Sequence, residues 1–193
     1  MKLRITRRSI SLPFALAAAT VTLFASVPSS AGTFRVGGGM FFNKNEPGGG
    51  VSVDLGDNGM MLSPYMDYFG RSGSRFFGGG LNLVAKRAGG EQSRLYLGLG
   101  GGIASVNVEE SSAGITGSAS KTQAMADLVL GVEFDLLETV GGFIQVKWLG
   151  TFGGGRVDIT GSVEGRTVTI PNEINLELRN FAVQTGVTVG FWR

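Results

Sequence analysis

Charged residues recur singly inside the apolar stretches of this sequence. Six of them have the chemistry that a buried site would need: two cations and four carboxylates, namely Arg35, Asp54, Asp67, Asp127, Glu133 and Lys147. Carboxylates and amines can act as general acids, general bases or nucleophiles. Held together in an interior they can equally form ion pairs, and they need partners there because an unpaired buried charge costs several kcal/mol. We predict the second role, a structural ion-pair network inside the fold, and no catalytic residue.

The inventory of reactive side chains is short, because the sequence contains no histidine and no cysteine. This excludes disulfide bonds, thiolate and imidazole metal sites, and Ser-His catalysis. Glycine triplets at 37–39, 78–80, 100–102 and 153–155 are the remaining candidates for a phosphate-binding loop. Such a loop needs a following helix and usually a Lys with Ser or Thr, and none follows. We interpret the glycines as relieving crowding between packed strands, and we predict no cofactor and no metal ion.

Residues 1–31 differ in composition from the rest of the chain. Four basic residues precede an apolar run over 10–27, and small residues follow up to Ala31. This order is typical of a cleaved signal peptide, which leaves residues 32–193 as a single domain. Four of the 17 basic residues and none of the 15 acidic ones lie in the leader, so the remainder carries 13 basic and 15 acidic residues, a net charge of −2. A nucleic-acid partner is therefore not expected.

Beyond the leader, apolar residues recur with a period of two, which indicates β-strands. In residues 122–134 the even positions from Ala124 to Phe134 are apolar, whereas the odd positions include Asp127 and Glu133. Residues 179–192 have the same alternation. Six less regular segments bring the predicted total to eight strands, and they fall within 33–42, 51–55, 62–68, 77–86, 95–99 and 144–148.

The gaps between these segments also alternate in kind. The gaps at 57–60, 87–93 and 135–141 are short turns, whereas 108–121 and 151–178 are long. Short turns at one end and longer loops at the other are typical of an up-and-down barrel in an outer membrane. Within 151–178 the apolar residues alternate, so that this loop could extend as a hairpin above the membrane.

Either face of such strands could turn inward: a soluble barrel hides its apolar face, whereas a membrane barrel presents it to lipid. The polar faces carry few Lys or Glu, although a water-facing surface is normally about 25 to 35 per cent charged. Aromatic residues gather near the strand ends, where interfacial girdles would lie. They are Phe34, Phe41, Phe42, Tyr68, Phe69, Phe76, Phe77, Phe134, Trp148, Phe181, Phe191 and Trp192. Both observations favour a membrane barrel.

Three stretches carry a family resemblance: Leu-Tyr-Leu-Gly-Leu-Gly-Gly-Gly-Ile over 95–103, Leu-Gly-Val-Glu-Phe over 130–134, and Gly-Val-Thr-Val-Gly-Phe-Trp-Arg over 186–193. With the leader, they resemble the small outer-membrane β-barrel family, which includes the membrane domain of outer membrane protein A and the opacity-type surface proteins. The resemblance spans nearly all of the domain and rests on general barrel signals. It implies that Phe191 and Trp192 are read by the barrel-assembly machinery, although Arg193 follows them where the family ends on an aromatic residue.

We therefore predict an all-β protein, an eight-stranded antiparallel up-and-down transmembrane β-barrel, monomeric and surrounded by outer-membrane lipid. Side chains fill the interior of a barrel of this size. The expected role is non-enzymatic, structural or in surface interaction, with an unidentified extracellular ligand bound through loops 108–121 and 151–178. Two alternatives stay open. One is a soluble periplasmic lipocalin-like barrel that binds an apolar ligand, and the other is an outer-membrane enzyme that modifies lipid by carboxylate or Lys chemistry.

Overall fold

The computed structural model describes residues 32–42, 45–56, 59–71, 73–112, 115–153, 157–163, 166–172 and 178–191. Within these ranges the chain forms ten strands: β1 (Gly32–Phe41), β2 (Glu46–Leu55), β3 (Met60–Arg71), β4 (Ser74–Ala88), β5 (Ser93–Ser112), β6 (Ile115–Asp135), β7 (Val140–Phe152), β8 (Val157–Val163), β9 (Arg166–Asn172) and β10 (Arg179–Phe191). No helix in these ranges is long and apolar enough to cross a membrane. The leader over 1–31 and Trp192 lie outside them, so both stay predictions.

Eight of the ten strands close into a barrel. Consecutive strands from β1 to β7 pair antiparallel, β7 pairs with β10, and β10 pairs with β1. The closing pair runs from Gly32 opposite Phe191 to Phe41 opposite Ala182. Closure pairs the backbone groups that an open sheet edge would leave free. The predicted eight-stranded antiparallel up-and-down barrel is confirmed.

The alternation along each strand separates an apolar outer face from a mixed inner face. On β6, Leu128 and Leu130 point outward and are 42% and 56% exposed, whereas Asp127 and Glu133 point inward and are 0% and 2% exposed. The same orientation holds on β10, where Val187 is exposed and Gln184 is buried. Since successive side chains of a strand point to opposite faces, the period of two in the sequence determines which residues enter the interior.

The barrel has two rims, and the segments of the chain that extend beyond them differ in length. At one, here called the turn rim, β2 joins β3, β4 joins β5 and β6 joins β7 through four residues each. At the opposite one, the loop rim, β5 and β6 continue outward and reach 20 and 21 residues. A strand of about 9 to 11 residues already crosses a bilayer, and β5 pairs with β4 as far as Val108, so that its residues 109–112, paired with 115–118 of β6, extend beyond the barrel proper.

The long connections at the loop rim are mostly strands. Residues 108–121 were predicted to form a loop, and that prediction is wrong, because β5 runs to Ser112 and β6 begins at Ile115. The expected hairpin within 151–178 is present as β8 paired with β9. β8 also pairs with β6 over residues 116–118. These pieces form one sheet outside the barrel, here called the outer extension: residues 109–118 with β8 and β9.

Candidate functional site

Four charged residues form a cluster inside the barrel near the turn rim. Lys86 Nζ lies 2.9 Å from Asp54 Oδ2 and 2.7 Å from Glu133 Oε2, and Arg35 pairs with the same Asp54 oxygen. Each of the four side chains is at most 4% exposed. Two cations therefore face two carboxylates in this turn-side cluster, so its net charge is zero.

Two further contacts tie the turn-side cluster to its surroundings. The Arg35 guanidinium lies 4.4 Å from the centre of the Tyr96 ring, a cation–π contact. Arg94, which is partly exposed at the turn rim, pairs with Asp135 and lies 3.9 Å from Glu133. The cluster is thus continuous with charges at the rim, where an open pocket of about 140 Å³ is lined by Arg94, Asp135 and Glu133 among others.

A second charged cluster lies further toward the loop rim. Lys147 Nζ is 2.6 Å from Asp67 Oδ2 and 3.6 Å from Asp127 Oδ2, and it lies 3.3 Å from the centre of the Tyr65 ring. The Tyr65 hydroxyl donates a hydrogen bond of 2.5 Å to Asp127 Oδ1. One cation faces two carboxylates here, all at most 4% exposed. In this loop-side cluster Lys147 is therefore shared between two buried anions.

A chain of side-chain amides connects the two clusters along one wall of the barrel. The Tyr96 hydroxyl donates to Gln145 Oε1 at 2.9 Å, and Gln145 Nε2 donates to Gln184 Oε1. Gln184 Nε2 then donates to Asp67 Oδ1 at 3.0 Å. Because Tyr96 lies against Arg35, the polar contacts run without a break from one cluster to the other.

Three phenylalanines close the interior on the loop-rim side of the clusters. The rings of Phe41 and Phe69 stack with 4.0 Å between their centroids, and Phe76 meets Phe41 edge-on at 5.4 Å. All three are at most 2% exposed, and Leu149 and Met125 pack in the same cluster. We call Phe41, Phe69 and Phe76 the aromatic plug. Their predicted place in an interfacial girdle is wrong, since they point into the barrel.

Replacing Phe41 with Ala is expected to lower the free energy of unfolding by about 3 to 5 kcal/mol, because the substitution opens a cavity in a packed core. The matched control is Phe42→Ala: the next residue along the chain is 56% exposed and should lose less than half as much. Urea unfolding of the folded barrel, followed by tryptophan fluorescence, measures both. Equal losses would show that Phe41 is not part of an interior plug.

Glycines leave room for these interior side chains. A Cβ atom on Gly37 would lie 2.6 Å from the Phe143 ring, and one on Gly78 would lie 2.7 Å from the Phe76 ring. Both glycines belong to triplets noted in the sequence, and neither is followed by a helix. Their position agrees with the interpretation that the triplets relieve crowding in a narrow barrel. The triplet at 153–155 lies mostly outside the described residues.

All six residues that we singled out in the sequence are buried inside the barrel, but they divide between two clusters. Arg35, Asp54 and Glu133 lie in the turn-side cluster. Asp67, Asp127 and Lys147 lie in the loop-side cluster. The sequence reasoning missed Lys86 and Tyr65, although both stand at inward positions of alternating segments. Phe191 ends β10 and is half-buried at the turn rim.

The charged groups of the two clusters in the interior are paired with one another. Each carboxylate of the two clusters contacts a cation or a hydroxyl and is almost completely buried. Within the described ranges no three acidic side chains come together in a way that could hold a metal ion. The charged side chains of the two clusters are therefore bound mainly to one another.

Comparison with known proteins identifies the fold. No family model matches the sequence, and no curated protein sequence matches it. A major outer membrane protein from Thermus thermophilus is similar in structure, with a TM-score of 0.65 at 9% identity over 83% of this chain and 99% of that one. The N-terminal β-barrel domain of Pseudomonas aeruginosa OprF has a TM-score of 0.54 at 13% identity, covering 84% and 98% of the two chains.

The Escherichia coli outer membrane protease OmpT is also similar, with a TM-score of 0.51 at 12% identity over 76% of this chain and 64% of that one. Identities this low establish the fold alone. The resemblance to small outer-membrane barrels that the sequence suggested is confirmed at that level.

Proposed function

We propose that this chain, which has the fold of the small outer-membrane β-barrels, is a non-enzymatic outer-membrane protein whose filled barrel anchors the outer extension at the cell surface. A continuous apolar outer face around a charged interior is the observation that carries the proposal. Three parts of the structure support the proposal: the apolar side chains on the outside of the barrel, the interior, and the outer extension.

The outer surface of the barrel is apolar on every side. Leucines on neighbouring strands point outward and are more than half exposed, with Leu83 at 52%, Leu97 at 51%, Leu99 at 67% and Leu130 at 56%. Soluble monomers rarely expose a contiguous apolar patch of more than a few hundred Å². Lipid acyl chains would cover this belt at no desolvation cost, and barrel closure satisfies the backbone hydrogen bonds that lipid cannot.

The interior argues against a soluble barrel that carries an apolar ligand. Such a protein would turn its apolar face inward around an empty cavity. Here Lys147 and Asp127 are 3% and 0% exposed at the centre, whereas Leu128 faces outward. The cavity between the two charged clusters measures only about 20 Å³. That volume is far below what an apolar ligand occupies in a pocket, about 300 Å³ or more.

An enzymatic role would need a nucleophile or an acid–base pair that a substrate can reach. The sequence has no histidine and no cysteine, and the carboxylates of the two clusters are engaged with Lys86, Arg35, Lys147 and the Tyr65 hydroxyl. These contacts favour a structural role for the six predicted residues. OmpT is a protease on a similar fold, so the argument rests on the residues of this chain and not on the fold.

The outer extension is the part of the chain best placed to meet a partner. When lipid covers the apolar outer face and side chains fill the interior, a partner molecule can reach the protein only at the rims. β5 and β6 carry the extension beyond the loop rim, and the β8–β9 hairpin widens it. We assign the interaction with an extracellular ligand to this sheet, which contains parts of both predicted segments, 108–121 and 151–178.

Electrophoresis of purified outer membranes tests the location. A folded membrane barrel resists detergent, so we expect the unboiled protein to migrate at a different apparent mass from the boiled protein, and to sediment with the membrane fraction. A protein that remains in the periplasmic extract, with one mobility before and after boiling, would contradict the proposal and would favour the soluble barrel.

A further inference from the structure

The turn between β6 and β7 exposes two leucines at the turn rim. Leu136 and Leu137 are 65% and 69% exposed. The turn itself is tight, because the amides of both leucines donate to the carbonyl oxygen of Val140, at 3.0 and 2.8 Å. The two other turns at this rim have the sequences Gly-Asp-Asn-Gly over 56–59 and Gly-Gly-Glu-Gln over 89–92. Of the three turns, the β6–β7 turn alone carries large apolar side chains.

These leucines continue the apolar outer face of the barrel. The even positions of β6 from Ala124 to Phe134 point outward and all are apolar, and Leu136 follows at the next even position. On the neighbouring strand the Phe134 ring covers Gly142 of β7, since a Cβ atom on this glycine would lie 2.5 Å from the ring. The apolar surface therefore runs without a break from the wall of the barrel to the turn.

The length of this apolar run indicates what covers the turn. From position 124 to position 136 the chain extends about 40 Å at roughly 3.3 Å per residue. Strands of membrane barrels are tilted by about 35 to 45°, so the run spans about 30 Å along the membrane normal. This equals the thickness of the hydrocarbon core, about 30 Å. Leu136 then lies where the acyl chains meet the headgroups, and not in bulk water.

We propose that the β6–β7 turn is a lipid anchor, in which the side chains of Leu136 and Leu137 pack against acyl chains of the membrane leaflet at the turn rim. The inference rests on the proposed function, because it requires that lipid surrounds the barrel. Glu138, the next residue, is exposed and stays among headgroups and water, since a carboxylate is costly within the hydrocarbon. The anchor extends the contact with lipid beyond the end of β6.

Nuclear Overhauser spectroscopy of the protein folded in lipid nanodiscs, with ¹³C-labelled leucine methyl groups, tests the proposal without a substitution in the turn. We expect the methyl protons of Leu136 and Leu137 to show cross-peaks to lipid acyl-chain protons. Replacing each of them in turn with Met assigns its resonances. Two other leucines are controls in the same spectrum: Leu130, on the outward face of β6, should contact acyl chains, and Leu149, which is 0% exposed in the interior, should contact no lipid.

The controls separate a failure of the anchor from a failure of the proposed function. If Leu130 contacts acyl chains while Leu136 and Leu137 contact only water, the anchor is overturned and the membrane barrel stands. Contacts of the two turn leucines with neither lipid nor water would also overturn it, because protein would then cover them. No acyl contact at Leu130 would overturn the membrane location, and the anchor with it.

A double variant measures how much the anchor contributes to stability. Leu136→Ser with Leu137→Ser should raise the unfolding equilibrium constant in lipid vesicles about tenfold, because two partly inserted leucines lose their apolar surroundings. The matched control replaces two exposed residues of the polar β4–β5 turn, Glu91→Ser with Gln92→Ser, and should change the constant by no more than about twofold. Equal effects of the two double variants would contradict the anchor.

Discussion

Replacing Lys147 with Met is expected to lower the free energy of unfolding by about 3 to 5 kcal/mol, because it leaves buried carboxylates without their cation. Lys147 Nζ lies 2.6 Å from Asp67 Oδ2 and 3.6 Å from Asp127 Oδ2, and both carboxylates are at most 4% exposed. The substitution would remove the one cation of the loop-side cluster. It would leave two buried carboxylates, those of Asp67 and Asp127, with no cation between them. Urea titration of the barrel in lipid vesicles, followed by tryptophan fluorescence, measures the loss.

Two further variants separate this electrostatic cost from a loss of packing. The triple variant Lys147→Met with Asp67→Asn and Asp127→Asn removes all three charges, and it should recover at least half of the lost stability, because neutral replacement of a buried ion cluster is far less costly than breaking it. Arg87→Met, which removes an exposed cation, should change stability by no more than about 0.5 kcal/mol. A loss below about 1 kcal/mol for Lys147→Met would contradict the loop-side cluster as described.

A positive charge in the middle of the outer belt should be nearly as damaging. Leu130 is 56% exposed on β6, with Leu128 and Val132 as its outward neighbours along the strand. Leu130→Arg is expected to lower the free energy of unfolding in lipid vesicles by about 2 to 4 kcal/mol, the usual cost of Arg near the bilayer midplane on the face of a barrel that meets lipid.

A second position on the same strand provides the control variant. Ser120 is exposed on β6 beyond the belt, toward the outer extension, and Ser120→Arg should cost no more than about 1 kcal/mol because the cost of the charge falls toward the interface. Equal tolerance of the two arginines would mean that Leu130 faces water. An unfolding titration of both variants in the same vesicles distinguishes these outcomes.

The faces of the strands could be predicted from the sequence, because a period of two leaves each side chain only two directions. Asp127 and Glu133 occupy the inward positions that the alternation around Leu128 and Leu130 assigns to them. The division into two clusters could not be predicted in the same way. Which inward residues meet depends on the stagger between strands, and Lys86 reaches Asp54 and Glu133 from a strand that is not sequence-adjacent to either.

Two predictions were wrong, each for its own physical reason. Phe41, Phe69 and Phe76 stand near strand ends, and composition alone places aromatic residues there at a membrane interface. Because successive side chains of a strand point to opposite faces, these three point into the barrel instead, where they form the aromatic plug. The strands over 108–121 were missed because the apolar alternation stops in this part of the sequence, while the backbone pairing continues to Ser112 and Ile115.

Depth-dependent fluorescence quenching tests the outward orientation of the apolar belt most directly. The chain contains no cysteine, so Leu130→Cys and Ser120→Cys each offer a single thiol for a small fluorophore on the folded barrel in vesicles. We expect bromine on the lipid acyl chains to quench the label at position 130, and iodide in the surrounding water to quench the label at position 120. If iodide quenched the label at position 130 while brominated lipid left it unchanged, the belt would face solvent and the membrane barrel would be the wrong account of this protein.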